Sequence, residues 1–195
     1  MKKMRMFSIA AAVIAVAFIG GCKSGKKDKL PSGETEVSVP CSGPGYYTDN
    51  KVFRANSIGE SMDLETAKKK ALTNARNELA QAIQTTVKTV TDNYTNSTSM
   101  DKKEQLEQKF ESLNREVVDQ TLQGIRMICE KPVMTKDGNY KYYVAIELSA
   151  DDLVKQYNSR LSSDDKLKVD YDYEKFKDTF NKEMDKMSAQ KNGGN

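Results

Sequence analysis

Residues 61–94, SMDLETAKKKALTNARNELAQAIQTTVKTVTDNY, form the longest uninterrupted helical pattern in the chain, and everything after residue 45 must find its place against it. Leu64, Ala67, Ala71, Ala75, Leu79, Ala82, Ile83, Val87, Val90 and Tyr94 recur every three or four residues and so fall on one face of a single helix. The opposite face is lysine, glutamate, asparagine and threonine. Asp63 is placed to cap the first turn, Glu65 lies where the helix dipole favours an acid, and neither proline nor glycine interrupts the run. At about 1.5 Å per residue the helix is on the order of 45 Å long, longer than strands of five or six residues. Its C-terminal half is therefore expected to project beyond any sheet it covers. The alanines let a sheet approach closely and carry no chemistry of their own.

The remaining elements follow as partners for that helix. Residues 51–59, KVFRANSIG, alternate and precede the cap, which predicts a first strand. Residues 93–99, NYTNSTS, read as a polar turn. Asp101 with Glu104 then makes a capping box for a second helix striped by Leu106, Phe110, Leu113 and Val117, which should fold back on the projecting half. Residues 120–131, QTLQGIRMICEK, and 140–148, YKYYVAIEL, predict a β-hairpin joined by PVMTKDGN, in which Asp137, Gly138 and Asn139 tolerate positive φ. Tyr140, Tyr142, Val144, Ile146 and Leu148 share one face of the second run. Ser149 with Asp152 opens a further helix, stapled by Leu148 and Leu153 and striped by Leu153, Tyr157 and Leu161.

The fold class is thus α+β: an antiparallel three-stranded sheet packed on a long amphipathic helix, with a helical hairpin insertion and C-terminal helices. Residues 46–161 hold this domain. Residues 162–187 form a linker and an amphipathic tail helix whose Tyr173, Phe176, Phe180, Met184 and Met187 are expected to dock on the domain, a partner protein or a membrane surface being the alternatives. Residues 188–195 are expected to be disordered.

The first 21 residues state an address. MKKMRM carries positive charge, residues 7–19 are an alanine-rich apolar run shorter than the ~20 residues of a membrane-spanning helix, and Ile19-Gly20-Gly21-Cys22 follows. A charged start, a short apolar stretch and small residues before a cysteine resemble a bacterial lipoprotein signal. That resemblance implies cleavage before Cys22, a diacylglycerol on its sulfur and an acylated amino group, so the mature chain is anchored to a membrane rather than spanning it. Lysine rather than aspartate follows Cys22, as in lipoproteins sent on to the outer membrane. Residues 22–45 are rich in glycine, proline, serine and lysine and read as a flexible tether. Lys23, Lys26, Lys27 and Lys29 within it either touch anionic headgroups or are simply solvated.

Charge and residue types narrow the chemistry. The chain has 31 Lys and Arg against 28 Asp and Glu, but Lys2, Lys3 and Arg5 belong to the signal, so the mature side chains sum to zero. No excess of positive charge remains for nucleic acid. Histidine is absent from the sequence, which removes the commonest general base and metal ligand. Asp170-Tyr171-Asp172 and Asp137-Gly138-Asn139 lack the continuation of a calcium loop, Gly43-Pro44-Gly45 is a turn rather than a phosphate cradle, and Lys68, Lys69 and Lys70 sit on the solvated helix face. No catalytic residue, metal or cofactor is expected, and an enzyme is the least favoured class.

Residues 54–83, RANSIGESMDLETAKKKALTNARNELAQAI, with the GIRMICEK and YKYYVAIELSADDLVKQY runs, resemble the twenty-kilodalton lipoprotein family first named from Helicobacter. The pattern is a strand ending in a small-residue turn at Gly59, then an alanine-rich helix carried by Ala67, Ala71, Ala75 and Arg76, then a hairpin, over about 110 residues from Phe53 to Leu161. The resemblance implies a fold similar to dodecins and to the N-terminal domain of a flagellar T-ring protein, with a three-stranded sheet wrapped round one helix. It brings no catalytic residues.

Two functions are carried forward. One is a non-enzymatic envelope protein acting as an interaction or structural module, its partner an unknown envelope protein or a second copy of itself. The other is a small-ligand module using the sheet near Tyr140, Tyr142 and Tyr143. A disulfide between Cys41 and Cys129 is also expected: with Cys22 taken by lipid, two cysteines remain, and export places them where disulfides persist. Pairing of the first and second strands would bring these two together.

Overall fold

The structure, a computed structural model, describes residues 31, 33–97, 103–163 and 171–192. Asp101 of the expected capping box and the whole lipidation signal with Cys22 lie outside the described residues. A 3-10 turn at Pro44–Tyr46 leads to β1 (Val52–Ser61), α1 (Leu64–Asn96), α2 (Lys103–Thr121), a second 3-10 turn at Leu122–Gly124, β2 (Arg126–Met134), β3 (Tyr140–Ser149), α3 (Ala150–Ser162) and α4 (Tyr173–Asn192). The three strands make one antiparallel sheet in the order β1-β3-β2, so the fold is α+β with the sheet packed on α1. Residues from Ser38 onward form one compact unit.

Helix α1 starts where its cap dictates: the Asp63 carboxylate accepts the Thr66 N–H at 2.7 Å. Ala67, Ala71, Ala75, Leu79, Ile83, Val87, Val90 and Tyr94 are all buried along one stripe. The helix runs through residues 93–96, expected to be a turn. Two physical reasons explain the extra turn. The hydroxyls of Thr91 and Thr95 donate to the carbonyls four residues back, so their polarity is satisfied inside the helix. Tyr94 is also fully buried, in a ring cluster with Phe110 and Phe176.

Gly59 lies inside β1 opposite Tyr142, rather than in a turn at the strand's end. There β1 crosses the alanine stripe. A Cβ built on Gly59 would run into the Ala67 carbonyl oxygen and come within 2.5 Å of the Ala71 nitrogen. Glycine opposite alanine is what brings sheet and helix backbones into contact.

The hairpin is shifted from its expected place. Residues 120–121 finish α2, and β2 extends through Pro132 and Val133, which the sequence pattern places in the loop. Proline is tolerated because β2 is an edge strand, with a bulge between Met127 and Cys129. The loop turns at Gly138 with φ +82°, as the Asp-Gly-Asn run requires.

The C-terminal helices complete the core. Ser149 caps α3 by accepting the Asp152 N–H at 3.2 Å, and Leu148 and Leu153 are both buried beside it. The tail helix docks on its own domain. Phe176 stacks on Phe110 at 5.3 Å and meets Tyr94 and Tyr157, Phe180 sets its edge on Phe53 at 6.3 Å, and Met184 is buried. Tyr173 and Met187 are only half-buried. Residues 188–192, expected to be disordered, continue α4, since no helix breaker precedes Gly193.

Candidate functional site

The sheet has two faces with different fates. Phe53, Tyr142, Val144, Ile146 and Leu148 point into the core with α1, while Arg54, Ala145, Glu147 and Cys129 lie on the other side. Cys41 and Cys129 are joined, with their Cα atoms 5.5 Å apart. The route differs from the expected one: β1 and β2 are separated by β3 and never pair. Instead the chain before β1 crosses the outer face as a strap, and Cys41 Sγ sits 3.9 Å from the Tyr143 carbonyl oxygen. Cys41 is buried and adopts φ +57°, a left-handed conformation uncommon for a residue with a side chain. The strap leaves Ala145 fully buried on a face that would otherwise meet water.

At its far end the strap is tied by polar contacts. The Thr48 hydroxyl accepts the Arg54 N–H at 2.9 Å and donates to the Arg54 carbonyl oxygen at 3.2 Å. The Arg54 guanidinium donates to the Tyr47 carbonyl oxygen and to Asp49, both at 2.9 Å, and to Glu147 at 3.1 Å. The second Glu147 oxygen takes Arg126 at 2.5 Å. A carboxylate nine-tenths shielded from water thus has both oxygens bound by guanidinium groups. Partial burial pushes the Asp49 pKa up, but the Lys51 and Val52 N–H groups and Arg54 outweigh it and hold the carboxyl below its ordinary value. The sequence reading missed this network. The register contained the signal: once Phe53 opposes Leu148, Arg54 must oppose Glu147.

The three tyrosines do not form one site. Tyr140 and Tyr142 are on the core face and Tyr143 on the outer face, as the two-residue period of a strand requires. Tyr142 is buried, its ring 5.5 Å beneath the Lys68 amine and its hydroxyl bonded to Glu130. The bond to Tyr142 and the Glu130 charge favour the charged form of Lys68 and raise its pKa, the reverse of what a nucleophilic lysine needs. Burial, then the Glu130 contact, push the Tyr142 hydroxyl up. Among the described residues no group of acids and cysteines is arranged to hold a metal, and no helix is long and apolar enough to cross a membrane.

Two open grooves flank α1. One of about 550 Å³ runs along α4 past Thr86, Glu183 and Met187, and one of about 840 Å³ runs along α2 past Lys88, Asp92 and Glu107. Both are lined by mixed charges and threonines. Large apolar side chains reach solvent elsewhere: Tyr47, Ile58 and Met62 along β1, and Met127 and Met134 on β2.

An α+β layer whose sheet is overlaid by a disulfide-bonded strap is built for a compartment outside the reducing cytoplasm. The pattern defining the LPP20 lipoprotein family matches residues 47–149, slightly over half of the chain, and the chain belongs to that family. It is a membrane-anchored lipoprotein of the cell envelope. The match takes in the sheet, α1 and α2, while Cys41, α3 and α4 lie beyond it. No curated protein and no solved structure matches the chain.

Proposed function

We propose that this lipoprotein is a non-enzymatic interaction module of the outer membrane, processed and acylated at Cys22. The observation that carries the reading is where apolar surface remains. The core face of the sheet is filled by α1 and the outer face is crossed by the strap, yet Ile58, Met62, Met127 and Met134 stay in water around the sheet. Scattered apolar residues on a surface are ordinary, but side chains gathered along one sheet edge, as Ile58 and Met62 are at the β1 edge, suit a contact surface. The Tyr142 ring and hydroxyl already have partners, and Tyr143 faces away, which argues against a small ligand held by these tyrosines. The residues from Cys22 to Pro40 would tether the module, reaching roughly 60 Å at full extension.

Cell fractionation and capture test this together. Cys22→Ser should move the protein from the membrane to the soluble fraction, and the lipidated bait should retain at least one envelope protein, its own untagged copy included, from solubilised membranes. Unchanged membrane association of Cys22→Ser would remove the anchor, and a bait recovered alone would remove the interaction role.

A further inference from the structure

The sheet has two edges, and they are treated differently. In an antiparallel ladder alternate residues aim their N–H and C=O groups at opposite neighbours. The N–H and C=O of Arg54 both meet Thr48, so Arg54 and every second residue after it face away from β3. The Glu60 carbonyl agrees, since it accepts Lys70 Nζ at 3.1 Å from outside the sheet. By the same alternation through β3, residues 130, 132 and 134 face outward on the β2 edge, where Pro132 has no N–H to offer. A proline and a bulge blunt that edge in the way sheets avoid adding strands. The β1 edge has no such block. Thr48 closes it at Arg54 and Lys70 touches it at Glu60, and between them the main-chain groups of Asn56 and Ile58 have no hydrogen-bond partner among the described residues.

Ile58 is the apolar side chain of this window, between Asn56 and Glu60, and two more exposed apolar side chains stand just beyond its ends. Ile58 at its centre is 44% exposed, Met62 at its end is 84% exposed, and Tyr47, which binds Arg54 through its carbonyl, is 36% exposed at its start. Arg54 and Met62 lie the same distance from Ile58 on either side. We propose that the β1 edge pairs with the β1 edge of a second copy of this chain, antiparallel, about a two-fold axis through Ile58.

This register sets Ile58 against Ile58 and Asn56 against Glu60, each pair exchanging main-chain bonds in both directions. The Glu60 carbonyl has a second lone pair for its new donor while Lys70 keeps the first. Met62 of each copy, past the end of the ladder, lies against the strap that closes the other copy's edge at Arg54, beside Tyr47, so all three exposed apolar side chains are covered at once. An axis at Ser57 would instead oppose Ile58 to Asn56 and drive Met62 toward Val52, whose main-chain groups Asp49 of the strap already holds. The contact is isologous and closed, giving one continuous six-stranded sheet rather than a fibre. It is short, and lipid anchors that confine both copies to one membrane raise their effective concentration.

The proposal rests on the interaction role and names its partner. The test uses the full-length lipidated chain in cells, with a photo-reactive p-benzoylphenylalanine at Met62. Irradiation should give a homodimer whose cross-linked peptide lies in residues 47–54. Ile58→Lys should lower that yield at least tenfold while moving the thermal midpoint of the purified protein no more than an ordinary surface substitution does, because its outward N–H has no partner within one copy and a lysine stem can lie on Tyr143 as the isoleucine does. Co-production of Ile58→Lys with Ile58→Glu should restore the yield, as expected when position 58 of one copy lies beside position 58 of the other. No homodimer from the wild-type background, a homodimer insensitive to Ile58→Lys, or failure of the mixed pair to recover would overturn the proposal. An adduct with a different envelope protein would also overturn it, while leaving the wider interaction role standing.

Discussion

Gly59 shows how a single hydrogen atom in place of a methyl decides a packing distance. Gly59→Ala should cost roughly 3 kcal/mol or more, since the obstructing Ala67 and Ala71 atoms are backbone and cannot swing aside. Gly124, whose Cβ would meet nothing within 4 Å, is the control and should change stability by under about 0.5 kcal/mol as alanine. Equal denaturation midpoints for the two variants would remove the close approach of β1 to α1. Asp49 offers a titration at the same scale. Its folded pKa lies below its unfolded one, so the stability it adds is fully present above pH ~4 and is lost as pH falls through the lowered folded value. Wild type should therefore outlast Asp49→Asn in thermal melts at neutral pH, with the gap closing as the solution is made strongly acidic. A gap independent of pH would mean that the carboxylate charge is irrelevant to holding the strap.

Among the elements, α4 has the most to prove, because it lies outside the family pattern yet supplies the centre of the aromatic core. Phe176 touches rings from α1, α2 and α3 at once, so α4 acts as the element that locks the helices together. Phe176→Ala should lose about 3–5 kcal/mol, whereas alanine at half-buried Tyr173 should lose under about 2 kcal/mol. Chemical unfolding of the two variants separates these cases, and similar losses would contradict the packing order. The spacing of large aromatics favoured docking on its own domain, because leaving such a stripe in water is costly, and the packing of Phe176 and Phe180 decided it over a partner or a membrane surface. The hairpin boundaries were harder. Pro132 looks like a loop residue until the strand order shows that its missing N–H falls on the open side of an edge strand.

For the whole molecule the disulfide is a covalent constraint between distant segments, joining residues 88 positions apart. The chain-entropy argument gives about 4–5 kcal/mol for a closed loop of this size. Replacing both Cys41 and Cys129 with serine should lower stability by about 2–5 kcal/mol and open residues 38–49 to proteolysis while the helices persist in circular dichroism. Protease resistance of the strap in that variant would show that Thr48 and the Arg54 contacts hold it without the bond.

Local periodicity determined the long helix, the three strands and the α+β class, and the cysteine count pointed to the Cys41–Cys129 bond. The docking of the tail on its own domain was one of several readings that the packing decided. The split of Tyr142 from Tyr143 was also legible, since a strand alternates its faces whatever surrounds it. Only the tertiary structure decided that β3 lies between β1 and β2, that the disulfide therefore reaches across the outer face, and that Glu147 stands between Arg54 and Arg126. Periodicity reports which face of an element avoids water, a property of a few consecutive residues. Strand order, and with it which edge keeps its main-chain groups unpaired, depends on contacts between segments far apart in the chain, for which one sequence carries no local mark.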